Sequence, residues 1–129
     1  MKYLSWAVRL VVAAILLQTL FFKFTASAES VFIFEKTGLG AAGRIGTGIF
    51  ELIAAVLLLV PRTAWFGALM AAGMMCGALF FHLTSLGIEV MGDGGTLFFL
   101  ALAVFLGSLL VLFLHRAEWL SLISRFRKN

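Results

Sequence analysis

The sequence predicts an all-α membrane protein: an antiparallel bundle of four transmembrane helices, with a short outer interfacial segment between spans 1 and 2. Three observations carry that expectation. First, 63% of the 129 residues are hydrophobic, only 12% are charged, and the mean hydropathy is +1.12. A soluble domain is about half apolar and about a quarter charged, so this chain has too few charges to cover a water-facing surface. Second, a bilayer core needs roughly 20 apolar residues per helix, and four stretches reach that length, at about 3–22, 41–60, 63–81 and 96–114. Third, the basic residues sort to one side of those spans. The whole chain, 1–129, reads as a single domain.

The same composition excludes other classes. One cysteine, Cys76, cannot build a disulfide scaffold. Fourteen phenylalanines with so little charge exclude disorder. A net charge of +4 and a pI near 9.9 are compatible with nucleic-acid binding. The ten basic residues form no single stripe, however, and most stand at the ends of apolar segments, which reads as topology and leaves no nucleic-acid surface.

Span 1 begins after Lys2. It has a second reading as a cleavable signal peptide, with Ala26-Ser27-Ala28 as the cleavage site and cleavage after Ala28. Lys23 interrupts that pattern, and the apolar run is long enough to span, so an uncleaved anchor is favoured. The segment 25–40 is too short to cross. Its strand-like Val31-Phe32-Ile33-Phe34, flanked by Glu29, Glu35 and Lys36, is expected to cover the helix ends at the outer interface. Spans 2 and 3 are separated only by Pro61-Arg62, a tight hairpin, because proline cannot continue a helix interior. With both termini cytoplasmic, the inner side holds Lys2, Arg9, Arg62, Arg116, Arg125, Arg127 and Lys128 against Glu118. The outer side holds Lys23, Lys36 and Arg44 against Glu29, Glu35, Glu89 and Asp93. That is the positive-inside pattern of a cell-membrane protein, and Trp6, Trp65 and Trp119 fall near the inner boundary.

Helices in lipid associate through close packing of small residues. Span 3 offers Ala64, Ala68 and Ala72 and the pair Gly73/Gly77; span 2 offers Ala42/Gly46 and Gly43/Thr47. These stripes fit a close approach of spans 2 and 3, or a homo-oligomer contact. Gly38-Leu39-Gly40-Ala41-Ala42-Gly43 matches G-x-G-x-x-G, but a dinucleotide site needs a βαβ unit and an acid about 20 residues on. Here 60–62 is Val-Pro-Arg. The glycines are better explained as a bent helix start and a packing face.

Ionisable groups inside a membrane are costly and are functional candidates by default. Glu51 lies about ten residues into span 2. Arg44 shares its face, but two turns away at about 10 Å along the axis, too far for a direct pair. Depth matching brings Gln18 close enough to donate to Glu51, and puts Lys23, Arg44 and His82 near the outer helix ends. Glu89 and Asp93 follow in the loop, where Asp93 opens the turn Asp93-Gly94-Gly95. A polar cluster in the outer half of the bundle follows, with Glu51 at its floor. Glu51 has three readings: an interhelical hydrogen-bonding group, a proton-carrying or ligand-binding carboxylate, or a lipid-facing residue. His82 lacks a second ligand at metal spacing, Cys76 lacks a dithiol partner, and no haem or iron–sulfur ligand set is present, so no metal and no intrinsic cofactor is expected.

Several blocks resemble the DoxX-type family of small four-helix membrane proteins. They are Phe22-Lys23-Phe24-Thr25, Arg44-Ile45-Gly46 with Gly48-Ile49-Phe50-Glu51-Leu52, Leu57-Leu58-Leu59-Val60-Pro61-Arg62, Gly77-Ala78 through Phe81-His82-Leu83-Thr84-Ser85-Leu86-Gly87, and Asp93-Gly94-Gly95. Together they extend over about 15–115. The resemblance implies a four-helix inner-membrane protein with Lys23, Arg44, Glu51 and His82 as family positions. Its members are linked to thiosulfate:quinone oxidoreduction, membrane redox complexes and maturation of periplasmic enzymes. The function expected is an accessory subunit of a membrane redox system, with a redox partner in the membrane. Its ligand would be a quinone or another lipophilic molecule held by Glu51, His82, Lys23, Arg44 and Gln18. On a quinone, His82 and Lys23 would donate to the carbonyls, Arg44 would stabilise developing negative charge, and Glu51 would relay protons. The alternative is a non-enzymatic scaffold or assembly factor whose polar cluster is structural. A transporter is disfavoured, because the spans carry no discontinuous helix.

Overall fold

A computed structural model describes residues 2–128, in which every regular element is helical. The elements are α1 (Lys2–Phe24), α2 (Ala28–Lys36), α3 (Gly40–Leu59), α4 (Ala64–Phe81), α5 (Thr96–Leu114) and α6 (Arg116–Lys128). A 3₁₀ turn, Pro61–Thr63, joins α3 to α4, and α4 runs on into one π turn, His82–Leu86. Helices α1, α3, α4 with its continuation, and α5 are each long and apolar enough to cross a membrane. The α-helices themselves end within two residues of the expected positions, and the π turn carries the third span five residues further, to Leu86. The chain has the make-up of a multi-pass membrane protein.

Two elements depart from the sequence reading. Val31–Phe34 is not strand-like but part of α2, started by the Ser27 hydroxyl, which accepts the Ser30 N–H. Four consecutive apolar residues satisfy either period, and the serine cap with Glu29 in the first turn decides for helix. The second is α6, which hydropathy alone does not assign because arginines interrupt it; Leu120, Ile123 and Phe126 on it are exposed. The glycine-rich segment before α3 is a bent helix start, since Gly38 and Gly40 both have positive φ.

The core joins Val12, Ala13 and Leu16 of α1, Ala54, Ala55 and Leu58 of α3, Ala68, Ala71 and Met75 of α4, and Ala101, Val104 and Val111 of α5. Cross-helix contacts fix which ends meet. Near the start of α1, Ser5 Oγ lies 2.7 Å from Nε2 of His115, the residue that closes α5. At the far end of α1, Phe24 lies so close to Gly48 of α3 that a Cβ there would sit 2.7 Å from its ring. His82, at the end of α4, meets Phe98 near the start of α5 edge-on at 5.6 Å.

The small-residue stripes pack only in part as expected. Ala64, Ala68 and Ala72 are buried, but Gly73 and Gly77 are exposed and have open space where a Cβ would stand. The close approach of α3 and α4 is made by Gly67, where a Cβ would sit 2.8 Å from Ala54 O and 2.8 Å from Leu58 N. Ala42 and Gly46 on α3 are likewise exposed. At about 100° per residue Gly67 stands within about 60° of Ala64 and Ala71, whereas Gly73, six residues on, points about 120° away.

Arg9 is buried in the core, although its sequence position suggests an interfacial charge. It is 2% exposed, its guanidinium stacks on Trp6 with Cζ 4.0 Å from the ring centroid, and Nε donates to Leu58 O at 2.6 Å. Proline has no N–H, so Pro61 ends the α3 ladder, and the last α3 carbonyls need other donors; Leu57 O takes the Val60 N–H at 3.3 Å. Arg9 takes Leu58 O, and the Thr63 hydroxyl takes Leu57 O at 3.0 Å.

Opposite responses are expected at two glycines. Gly67→Ala should lower thermal stability in detergent by about 1–3 kcal/mol through overpacking. Gly73→Ala, with open space and better helix propensity, should leave it unchanged or raise it by up to about 1 kcal/mol. Equal effects at the two positions would contradict the packing described.

Candidate functional site

A cavity of about 270 Å³ opens among α1, α2, α3, α4 and α5 at the end of the molecule where α2 sits. Most of its lining is apolar, including Leu16, Phe34, Met75 and Val104. Its polar groups include Thr19, Lys23, Glu29, Ser30 and His82. Helix α2 supplies one wall because its buried face, Ser30 and Phe34, turns inward while Glu35 and Lys36 stay exposed.

Glu51 stands behind this wall. It is 2% exposed and does not line the cavity. Lys23 Nζ lies 2.8 Å from Glu51 Oε1, and the Thr19 hydroxyl donates to Oε2 at 2.7 Å. Both carboxylate oxygens are thus matched, one by a cation and one by a neutral donor. The Lys23 side chain keeps 15% exposure and lines the cavity, so Lys23 is the member of the pair that the cavity reaches. Burying either charge alone would be prohibitive in apolar surroundings.

Two expected participants are placed elsewhere. Gln18 is exposed on the other side of α1. Successive helical residues point about 100° apart, so depth matching found the right turn, and the next residue, Thr19, occupies the inward direction. Arg44 does not line the cavity; its Nη1 donates to the Lys23 backbone carbonyl. There it closes the end of α1, where terminal carbonyls and the helix dipole both favour a cation. It forms no ion pair with Glu51 among the described residues.

His82 is 5% exposed and opens the π turn. Its Nδ1 lies 2.9 Å from Gly87 O. A carbonyl only accepts, so Nδ1 carries the proton in this contact. Gly87 has φ +78, a left-handed conformation that turns the chain back over the ring. Beyond it Asp93 organises the loop: Oδ1 accepts the Val90 and Gly95 N–H groups, and Oδ2 accepts that of Leu97. Burial pushes the Asp93 carboxyl up, but those backbone donors, joined in acid by the positive charge of a protonated His82, outweigh it, and the group is held below the ordinary 3.8.

No group of three or more His, Cys, Asp or Glu side chains able to hold a metal occurs among the described residues. Cys76 is exposed on α4. Neither family models, nor curated proteins, nor solved structures provide a match to this chain.

Two measurements check the geometry. Lys23→Met leaves Glu51 buried and unpaired and should cost about 3 kcal/mol or more, whereas Lys23→Met with Glu51→Gln should cost clearly less. Additive losses in that double-mutant cycle would contradict the pair. Asp93, with its lowered pKa, stabilises the fold above the unfolded value of 3.8, and that contribution is lost as pH falls through the lower folded value. Wild-type Tm should therefore fall more steeply than that of Asp93→Asn on acidification below 3.8; parallel curves would contradict the role.

Proposed function

We propose that the chain is a DoxX-like integral inner-membrane protein that serves a membrane redox system as an accessory subunit. In this reading the four long helices form an antiparallel bundle with both termini cytoplasmic. Helix α2 lies at the outer face, and α6 lies along the inner interface with its exposed apolar residues toward lipid. The reading rests chiefly on one observation. A largely apolar cavity of single-ring size carries an ammonium, backed by a buried carboxylate, together with an imidazole. Its volume is below the roughly 300 Å³ at which drug-sized pockets begin, so a quinone-type headgroup suits it, with any tail leaving toward lipid. Lys23 and His82 are the ligand-facing groups, and Thr19 and Glu51 hold Lys23 in place. The resemblance of Lys23, Arg44, Glu51 and His82 to DoxX positions supports the same reading.

The scaffold alternative is favoured by a different feature: Thr19, Glu51 and Lys23 satisfy one another without a ligand. Native mass spectrometry of protein extracted mildly from its own membrane separates the two. The redox reading expects a retained quinone or similar lipophilic ring compound, reduced at least about tenfold in Glu51→Gln/His82→Ala, a loss of about 1.4 kcal/mol. Absence of any such ligand, or unchanged retention by the double variant, favours the scaffold.

A further inference from the structure

Resting on the reading of this cavity as a ring-binding pocket, the geometry points to a ligand that donates a hydrogen bond to His82, a phenol or hydroquinone hydroxyl rather than a quinone carbonyl. Gly87 O can only accept, so the Nδ1 contact at 2.9 Å fixes the proton on Nδ1. In the neutral ring Nε2 is then a bare lone pair, because imidazole carries one donor and one acceptor. Nε2 has no protein hydrogen-bond partner among the described residues, and His82 lines the cavity. The π turn and the left-handed Gly87 hold the ring so, with Phe98 against it edge-on at 5.6 Å.

Lys23 supplies the opposite character. One ammonium N–H is used by Glu51 Oε1, which leaves two more to donate on a residue that lines the cavity. The lining also carries the Glu29 carboxylate, a further acceptor, and serine and threonine hydroxyls that donate or accept, so the fixed elements are an acceptor at His82 and a cationic donor at Lys23. A hydroquinone matches both, with one hydroxyl donating to Nε2 and the second oxygen accepting from Lys23. A quinone carbonyl at His82 would meet a lone pair instead. This reverses the donor role that the sequence suggests for His82 and leaves Lys23 as the donor. At His82 the pocket therefore favours the reduced, hydroxyl-bearing member of a quinone couple.

The test uses intact protein in lipid nanodiscs, with para-butylphenol and its methyl ether, para-butylanisole, as probes and empty nanodiscs correcting for partition. The phenol should bind at least about tenfold more tightly than the ether, and His82→Phe should bring the two within about twofold. Nitrogen-15 NMR of labelled histidine needs no change at the site. With His82 distinguished from His115 by a His115→Gln variant, Nε2 should be unprotonated and should shift on adding the phenol but not the ether. Equal binding of the two probes, a preference that survives in His82→Phe, or a protonated Nε2 overturns the inference while leaving the cavity as a ring-binding site. Failure of both probes to bind overturns the pocket reading itself.

Discussion

The ion pair between Lys23 and Glu51 sets the constraint under which one end of this protein is built. A carboxylate 2% exposed among apolar helices cannot stay charged without partners, and a lysine on the facing helix cannot turn inward without a counter-charge. Meeting both needs at 2.8 Å fixes α1 against α3 in depth and rotation. Thr19, one turn earlier on α1, then falls on the second carboxylate oxygen, and Phe24 falls against Gly48. Arg44 reaches the Lys23 carbonyl as a consequence of the same register. The cavity is the space left beside these fixed groups once α2 and the π turn close over it.

At the other end, the same scarcity of hydrogen-bond partners acts on the backbone. Pro61 ends α3 and exposes carbonyls that neither lipid nor an apolar core can satisfy. Arg9 answers that need for Leu58 O, so a buried arginine closes a helix where an interfacial charge was expected. Between Arg9 and Thr19 the buried face of α1 is Val12, Ala13 and Leu16, ten residues or about 15 Å of helix in all. Polar chemistry is therefore divided into two groups with an apolar waist between them. That division suits a pocket that opens to one end better than a pathway through the molecule.

Much of this was legible in the sequence, and the gaps have physical causes. Helix length and hydropathy located all four long helices, the cost of charge in lipid singled out Glu51, and depth matching put Lys23 and His82 near the same end of the bundle. Depth counting cannot tell adjacent residues apart, which is why Gln18 was expected where Thr19 stands. Arg44 and Arg9 look like site and surface charges because sequence does not reveal which carbonyls a chain will leave open. Gly73 and Gly77 have the right spacing but the wrong face, whereas Gly67 carries no partner glycine to draw attention to it. Helix α6 is hidden because its arginines dilute a hydropathy signal that its exposed Leu120, Ile123 and Phe126 would otherwise give. The tautomer of His82 depends on a carbonyl five residues away, brought back by a π turn and a left-handed glycine.

The central claim is that Glu51 is an ionised carboxylate matched by Lys23 and Thr19. Infrared difference spectroscopy of membranes containing wild-type protein and Glu51→Gln reads that state directly. With the Lys23–Glu51 ion pair in place, the substitution removes an ionised-carboxylate band and leaves the protonated-acid carbonyl region unchanged. Loss of a protonated-acid carbonyl band instead would mean that no ion pair organises this end of the molecule.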